Sequence, residues 1–363
     1  MHNDNVSGMN RLALFGATVW NRSAASRLSA AVREHRAEIV HFHNTFPLMS
    51  PGAYYAARNA GAAVVQTLHN FRLLCVGANF YRDGKVCEDC LGKWLPSSGV
   101  VHRCYRGSRS ASGATAAMLM FHRAFGTWAN AVDAYITPTN FAREKFIAGG
   151  LPAEKIAVKP NFLHPAPDAA PGGGGYAIFV GRLSAEKGLD TLLAAWNALG
   201  HEVPLKIVGN GPLAEDVKEA VERNSSIELL GRRPSEEVYR LIGDADLLVL
   251  PSNCYETFGR VAIEAYATGT PVIASNHGAP AEVVEDGQTG LRFRPGDGAD
   301  LAAKVRMALA DRPKLAQMRR QARHEFEAKY TGERNHEMLI SIYEKARSGR
   351  PSHVEKPKPV VAA

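Results

Sequence analysis

Two glutamates eight residues apart, Glu256 and Glu264, lie in the stretch 251–271, PSNCYETFGRVAIEAYATGTP. A short apolar run at 247–250 reads as a strand and 259–268 as the helix after it, so Glu256 falls in a loop and Glu264 inside a helix. The helix N-terminus near Phe258 and Gly259 directs free N–H groups and a partial positive charge into the space between the carboxylates, a place suited to a phosphate. Gly259 lets the backbone come close to a ligand. The carboxylates can accept hydrogen bonds from hydroxyls on either side of that phosphate, such as those of a hexose and a ribose. Spacing alone is weak evidence, because at ordinary Glu usage such a pair arises by chance about once in fifteen tries. The specificity comes from the company: Pro-Ser before the pair, Thr257-Phe258-Gly259 inside it, and a Gly-x-Pro-Val closure onto the next strand.

A second element, GRLSAEKG at 181–188, again follows a strand and opens a helix. Arg182 offers a planar fork for phosphate oxygens and Lys187 a mobile point charge, so two cations and a helix dipole converge where a diphosphate would fit. Alone, this reads equally as an ordinary strand-to-helix loop with exposed basic residues. Beside the glutamate element in the same sheet, it reads as half of one site.

The elements that must position these residues alternate. Apolar runs at 176–180, 205–208, 227–229, 247–250 and 272–274 read as buried strands, with amphipathic helical patterns at 189–199, 213–223, 235–243 and 259–268 between them. Such alternation implies a parallel, doubly wound sheet whose ligands bind beyond the carboxyl ends of the strands, and every motif falls at such an end. Before the Pro- and Gly-rich segment 165–175, which reads as a linker, strands at 39–43, 64–68 and 134–137 and helices at 24–36 and 111–131 suggest another α/β domain. The expected plan is therefore a first domain over 1–164, the linker, a second domain with closing helices over 176–346, and a disordered tail from 347 to 363.

Together these motifs resemble the donor site of glycosyltransferase family 4, the retaining group 1 enzymes of bacterial polysaccharide synthesis. The resemblance runs from about Trp20 to Ala346 and implies the GT-B fold, in which two Rossmann-like domains face each other across a cleft. It implies that Gly181, Arg182 and Lys187 hold the donor diphosphate, that Glu256 contacts the transferred sugar with Thr257, Phe258 and Gly259 beside it, and that Glu264 contacts the ribose. Gly209 and Asn210, with Gly231 and Arg232, would line the nucleoside pocket. His69, in TLHN at 67–70, resembles the family's histidine at the catalytic centre. His41 and His43 share a strand face and read as structural or acceptor-side. Breaking the sugar–diphosphate bond places negative charge on the departing phosphate, which preorganised Arg182 and Lys187 would stabilise without a catalytic metal.

The implied activity is hexosyl transfer from a UDP or GDP sugar to a saccharide or lipid-linked acceptor. Family members usually open with a strand running into a Gly-rich loop, an element not found ahead of residue 39. A nucleotide-sugar-binding protein impaired in transfer is accordingly the alternative. A glycoside hydrolase would use two carboxylates but leaves the paired cations unexplained. A dinucleotide-dependent dehydrogenase needs a Gly-rich fingerprint after a strand, whereas the glycines at 172–175 precede theirs.

Cys75, Cys87, Cys90 and Cys104 are spaced C-x11-C-x2-C-x13-C around a hairpin turn signal, Arg82-Asp83-Gly84. Four thiolates with a central Cys-x-x-Cys suit a structural zinc; separate buried thiols and a redox disulfide are the other readings. Charge is uneven, with 18 Lys and Arg against 9 Asp and Glu in residues 1–160, and 25 against 27 in the rest. The basic first half suits a phosphorylated acceptor or an anionic membrane face, and no nucleic-acid partner is expected. With no apolar run near the ~18 residues that span a bilayer and a polar start, the expected location is cytoplasmic, with peripheral contact at the inner membrane face.

Overall fold

A computed structural model describes residues 10–349. The first domain begins with α1 (Arg11–Val19) and α2 (Arg22–Glu34), followed by β1 (Ile39–Phe42), α3 (Gly52–Asn59) and β2 (Ala63–Thr67). An excursion then carries the two-residue strands β3 (Tyr81–Arg82) and β4 (Lys85–Val86) and the short α4 (Ser97–Val101). After it come α5 (Arg109–Ala124), α6 (Thr127–Asn130), β5 (Ala134–Thr137), α7 (Asn140–Ala148) and β6 (Ile156–Val158). The four long strands form a parallel sheet in the order β1-β2-β5-β6. The predicted helix over 111–131 is two helices, because Gly126 takes a left-handed φ of 60° and breaks the run. The turn signal at 82–84 does make a hairpin, with Asp83 and Gly84 both at positive φ as a type I′ turn requires. Among the described residues, no strand precedes β1.

The second domain runs β7 (Ala177–Val180), α8 (Leu189–Leu199), β8 (Leu205–Val208), α9 (Ala214–Arg223), β9 (Ile227–Gly231) and α10 (Ser235–Asp244). It continues through β10 (Leu247–Leu250), α11 (Arg260–Thr268), β11 (Val272–Ser275), α12 (Gly278–Val283), β12 (Gly290–Phe293), α13 (Gly298–Ala310) and α14 (Arg312–Lys329). Its six parallel strands are ordered β12-β11-β10-β7-β8-β9. β10 is buried along its whole length, as a parallel strand covered on both faces must be. One face packs on α8 and α13 around Trp196, the other on α10, α11 and α14 around Tyr266 and Phe326. Strands β6 and β12 were not predicted, since runs of three and four residues carry almost no periodic signal.

Two expectations about domain limits change. The last helix, α15 (Gly332–Ser348), does not close the second domain but returns to the first, where Leu339, Ile342, Tyr343 and Ala346 cover Ala63, Val65, Ala134 and Ile136. The reason lies in the strands: β2 and β5 are apolar on both faces, and α3, α5 and α7 occupy only one. Helix α15 therefore extends past 347, and Arg347 pairs with Glu38 at 3.1 Å. The rest of the expected tail, like the polar start, lies outside the described residues. The linker-like segment is tied down as well, with Ala170 N donating to Thr268 O at 3.0 Å and Arg319 and Arg323 donating to the Ala170 and Pro167 carbonyls.

Candidate functional site

In the second sheet the chain moves outward from β7 through β8 to β9, then crosses back to lay β10 on the other side of β7. The connections after β7 and β10 therefore depart to opposite faces of the sheet, with α8 on one and α11 on the other, and open parallel sheets bind ligands in the crevice beyond the strand ends at such a switch point. These are the loops that carry Arg182, Lys187 and Glu256. Both end in helices without a side-chain cap, since α8 and α11 start from Gly188 and Gly259 in left-handed conformations. Two helix N-termini thus leave backbone donors and partial positive charge at one crevice.

Within it, Lys187 Nζ donates to Glu256 Oε1 at 2.8 Å, and Ser252 Oγ donates to the same oxygen. The Glu256 side chain is only 10% exposed. Burial works against the Lys187 ammonium, but the Glu256 charge and hydrogen bond outweigh it and hold Lys187 above its ordinary range. Lys187 is thus a fixed charge and not the mobile one its sequence suggested. Arg182 is exposed and has no ion-pair partner among the described residues, so it is the free cation of the pair. Glu264 is mostly buried, and burial raises its carboxyl above the usual range, with Arg260 at 3.2 Å opposing in part. Phe258 departs from expectation: its ring is buried against Tyr330 in the core, which leaves only its backbone for a ligand.

Glycine is required at two close approaches. A Cβ on Gly188, at φ +71°, would sit 1.9 Å from the Pro251 carbonyl, so the β7 and β10 loops touch backbone to backbone. A Cβ on Gly209, at φ +146°, would sit 1.8 Å from the Gly181 carbonyl. The loops after β7, β8 and β9 are further tied by Leu183 N to Asn210 O at 3.1 Å and Gly209 N to Gly231 O at 2.9 Å. Asn210 and Arg232 are exposed beside them.

Across the crevice, the carboxyl ends of the first sheet present His43 after β1, His69 after β2 and Lys159 after β6. His43 Nδ1 lies 2.8 Å from His69 Nε2 with the two rings stacked, and His41 packs at a tilt on His43 with ring centroids 4.3 Å apart. His41 is held by Tyr343 of α15 at 2.7 Å and Thr67 at 2.8 Å. Burial, then His43, Lys159 and His69, pushes His41 down to about 4; burial with neighbouring His43 or Lys159 charge lowers His43 and His69. Burial pushes Lys159 down to about 8. Thr257 Oγ1 donates to the His69 carbonyl at 2.9 Å, which brings His69 against the Glu256 loop. Thr139 donates to Thr257 O at 3.0 Å, and the Glu282 carboxylate caps α7 across the cleft through Asn140 N and Phe141 N at 2.8 and 2.7 Å.

Sequence reasoning placed Ser252 in the motif without giving it a role, and missed Lys159 and His277, whose Nε2 lies 2.8 Å from the Ser252 carbonyl. Lys159 and His277 belong to no recognisable spacing. His43 was visible only as the second histidine of a strand face. Cys75, Cys87, Cys90 and Cys104 do gather in one electrostatic neighbourhood, where burial and the other three thiols push Cys104 up to about 11. All four are free thiols, yet no group of three or more His, Cys, Asp or Glu among the described residues is placed to hold a metal ion. The side chains lie near one another without converging on a shared centre. No helix among the described residues is long and apolar enough to cross a membrane.

The family profile described as Glycosyltransferase Family 4 matches residues 6–166, and that of Glycosyl transferases group 1 matches residues 164–325. A glycogen synthase of Mycobacterium tuberculosis is 40% identical over 151 residues, which span 40% of this chain and 36% of the relative. An uncharacterized glycosyltransferase of Methanocaldococcus jannaschii is 33% identical over 171 residues, spanning 47% and 48%. This chain thus matches about a third to a half of the length of these curated relatives. Among solved structures, sucrose-phosphate synthase from Thermosynechococcus elongatus superposes with a TM-score of 0.68 at 19% identity, covering 94% of this chain and 81% of that one. Anabaena HepE in complex with UDP superposes at 0.66 and 18% identity, covering 88% and 82%. Two facing parallel-sheet domains make the GT-B fold, and the chain belongs to the group 1, family 4 glycosyltransferases.

Proposed function

We propose that the protein is a retaining hexosyltransferase that moves a sugar from a nucleoside diphosphate to a saccharide or lipid-linked saccharide acceptor in cell-surface polysaccharide synthesis. The observation that carries this reading is the switch point at the ends of β7 and β10, where an exposed, unpaired Arg182, a fixed Lys187 and two helix N-termini without side-chain caps come from adjoining loops. UDP is favoured over GDP because similar structures hold UDP or UDP-glucose.

In the proposed reaction the glycosidic bond to the β-phosphate stretches, positive charge grows on the sugar ring, and Arg182 and Lys187 stabilise the departing diphosphate. Lys187 also orients Glu256, whose second oxygen stays available for sugar hydroxyls. The acceptor hydroxyl enters on the face the diphosphate leaves and passes its proton to the departing phosphate oxygen, so the step needs no enzymic nucleophile. His69, against the same loop, positions the transferred sugar. Glu264 would receive the ribose hydroxyls, and the loops at Gly209 and Gly231 the base. The cations supply the charge stabilisation, so we propose catalysis without a metal.

A thermal-shift panel of UDP and GDP sugars, repeated on Glu256→Ala, tests the reading. The expected result is stabilisation of the wild type by one nucleotide class and a smaller shift for its sugar form in the variant. Absence of stabilisation by any nucleotide would remove the proposal.

A further inference from the structure

A small cavity opens beside His69 at the carboxyl ends of β1 and β2, lined among others by His43, Asn70, Arg72, Met118 and Trp128. Its lining contains no Asp or Glu. Arg72 packs against the edge-to-face pair Phe46 and Tyr105, its guanidinium carbon 4.7 and 4.6 Å from their centroids, and donates to the Val76 carbonyl. It makes no ion pair among the described residues, and burial pulls it below its ordinary range. Its Nη1 is taken by the Val76 carbonyl, and the other N–H donors of the guanidinium make no hydrogen bond among the described residues, which leaves them for a planar acceptor.

A second donor belongs to the same lining. Trp128 is 7% exposed, and its Nε1–H is one of three buried side-chain polar atoms without a hydrogen-bond partner among the described residues. Buried indole N–H groups ordinarily find acceptors. The cavity therefore gathers a guanidinium without a counter-charge, an unsatisfied indole N–H and the His43–His69 pair, with no carboxylate to answer them. At about 30 Å³ it admits about two oxygen-sized groups, so two oxygens of an anion can seat here while its remaining atoms stay in the open mouth.

We infer that this cavity binds an anionic group of the acceptor, a carboxylate or a phosphate, with Arg72 and Trp128 as its donors. The inference rests on the proposal that the first domain receives the acceptor. It deepens that proposal by making the acceptor an acidic or phosphorylated saccharide. An anion anchored here lies beside His69 and the Thr257 loop, so the neighbouring acceptor sugar reaches the crevice where the donor is proposed to sit.

The test is calorimetric titration of methyl glucuronide, glucose 1-phosphate and methyl glucoside into the UDP-saturated full chain, with UDP binding measured first on every variant. The wild type should bind one of the two anionic probes at least tenfold more tightly than methyl glucoside. Which one binds separates a carboxylate from a phosphate. Arg72→Gln should lose that preference, Arg72→Lys should keep part of it, and Trp128→Phe should weaken the anion by about two- to tenfold. UDP affinity should stay unchanged in all three, which also shows that they fold. Equal binding of charged and neutral probes, no binding of either anion, or an intact preference in Arg72→Gln would each overturn the inference. Failure of both UDP and GDP to bind the wild type would instead refute the donor-site proposal.

Discussion

The two sides of the cleft are built in different ways. On the second-domain side, the chemistry is concentrated in two loops at one switch point, and each loop holds its residues within a dozen positions of one another. On the first-domain side, His43, His69, Arg72, Trp128 and Lys159 come from separate strand ends and a distant helix, and they meet only because the sheet gathers them. The first kind of site is fixed by local backbone geometry, the second by tertiary packing. Donor-side damage should therefore fall on nucleotide binding and chemistry together, and first-domain damage on transfer with nucleotide binding spared.

The largest expected effect follows from removing the fixed cation. Lys187→Ala takes charge from the departing diphosphate and leaves the buried Glu256 carboxylate with Ser252 as its remaining partner, so transfer should fall on the order of 10²–10³-fold with weaker nucleotide binding. Release of nucleoside diphosphate in steady state reads it. His69→Ala should cost about 10²-fold in transfer while calorimetric affinity for the nucleotide stays within about threefold. A large loss of nucleotide affinity in that variant would break the contrast between the two sides.

Next comes the backbone contact. Gly209→Ala forces a Cβ against the Gly181 carbonyl in a conformation L-residues avoid, and should destabilise the fold by about 1–3 kcal/mol while loosening the diphosphate loop. Denaturant titration together with nucleotide affinity would report both.

The smallest effect is on pH dependence, and it belongs to the first domain. His41 titrates near 6.5 when unfolded and about 4 when folded. The unfolded chain then binds more protons between those values, so stability is full above about pH 6.5 and declines as the pH falls toward 4. Calorimetric Tm should drop by a few degrees across that window, and His41→Gln, which keeps a polar partner for Tyr343 and Thr67, should flatten the drop. An unchanged slope would mean that the histidine stack is not its source.

Legibility in the sequence followed the same division. Strands β5, β8 and β10 and helix α8 fall where periodicity placed them, because each is a run of apolar residues bounded by turn residues. The loops after β7 and β10 were legible because glycine, cation and carboxylate types are imposed at short spacings by close backbone approach. The ion pair between Lys187 and Glu256 was not, since it joins loops from two strands that only the crossover at β7 and β10 brings together. Helix α15 was placed with the wrong domain because its apolar stripe shows that it packs without showing against what. Arg72 and Trp128 carried no sequence signal: an isolated Arg and an isolated Trp look like any others until a cavity appears between them.

The central claim is that a diphosphate is recognised between Arg182, Lys187 and two helix N-termini. Its most direct test is a calorimetric comparison of UDP and GDP with UMP and GMP, on the wild type and on Arg182→Ala. The account predicts that one diphosphate binds the wild type at least tenfold more tightly than its monophosphate, with most of that preference gone in the variant. Equal affinity for mono- and diphosphates in the wild type, or an undiminished preference in Arg182→Ala, would contradict it.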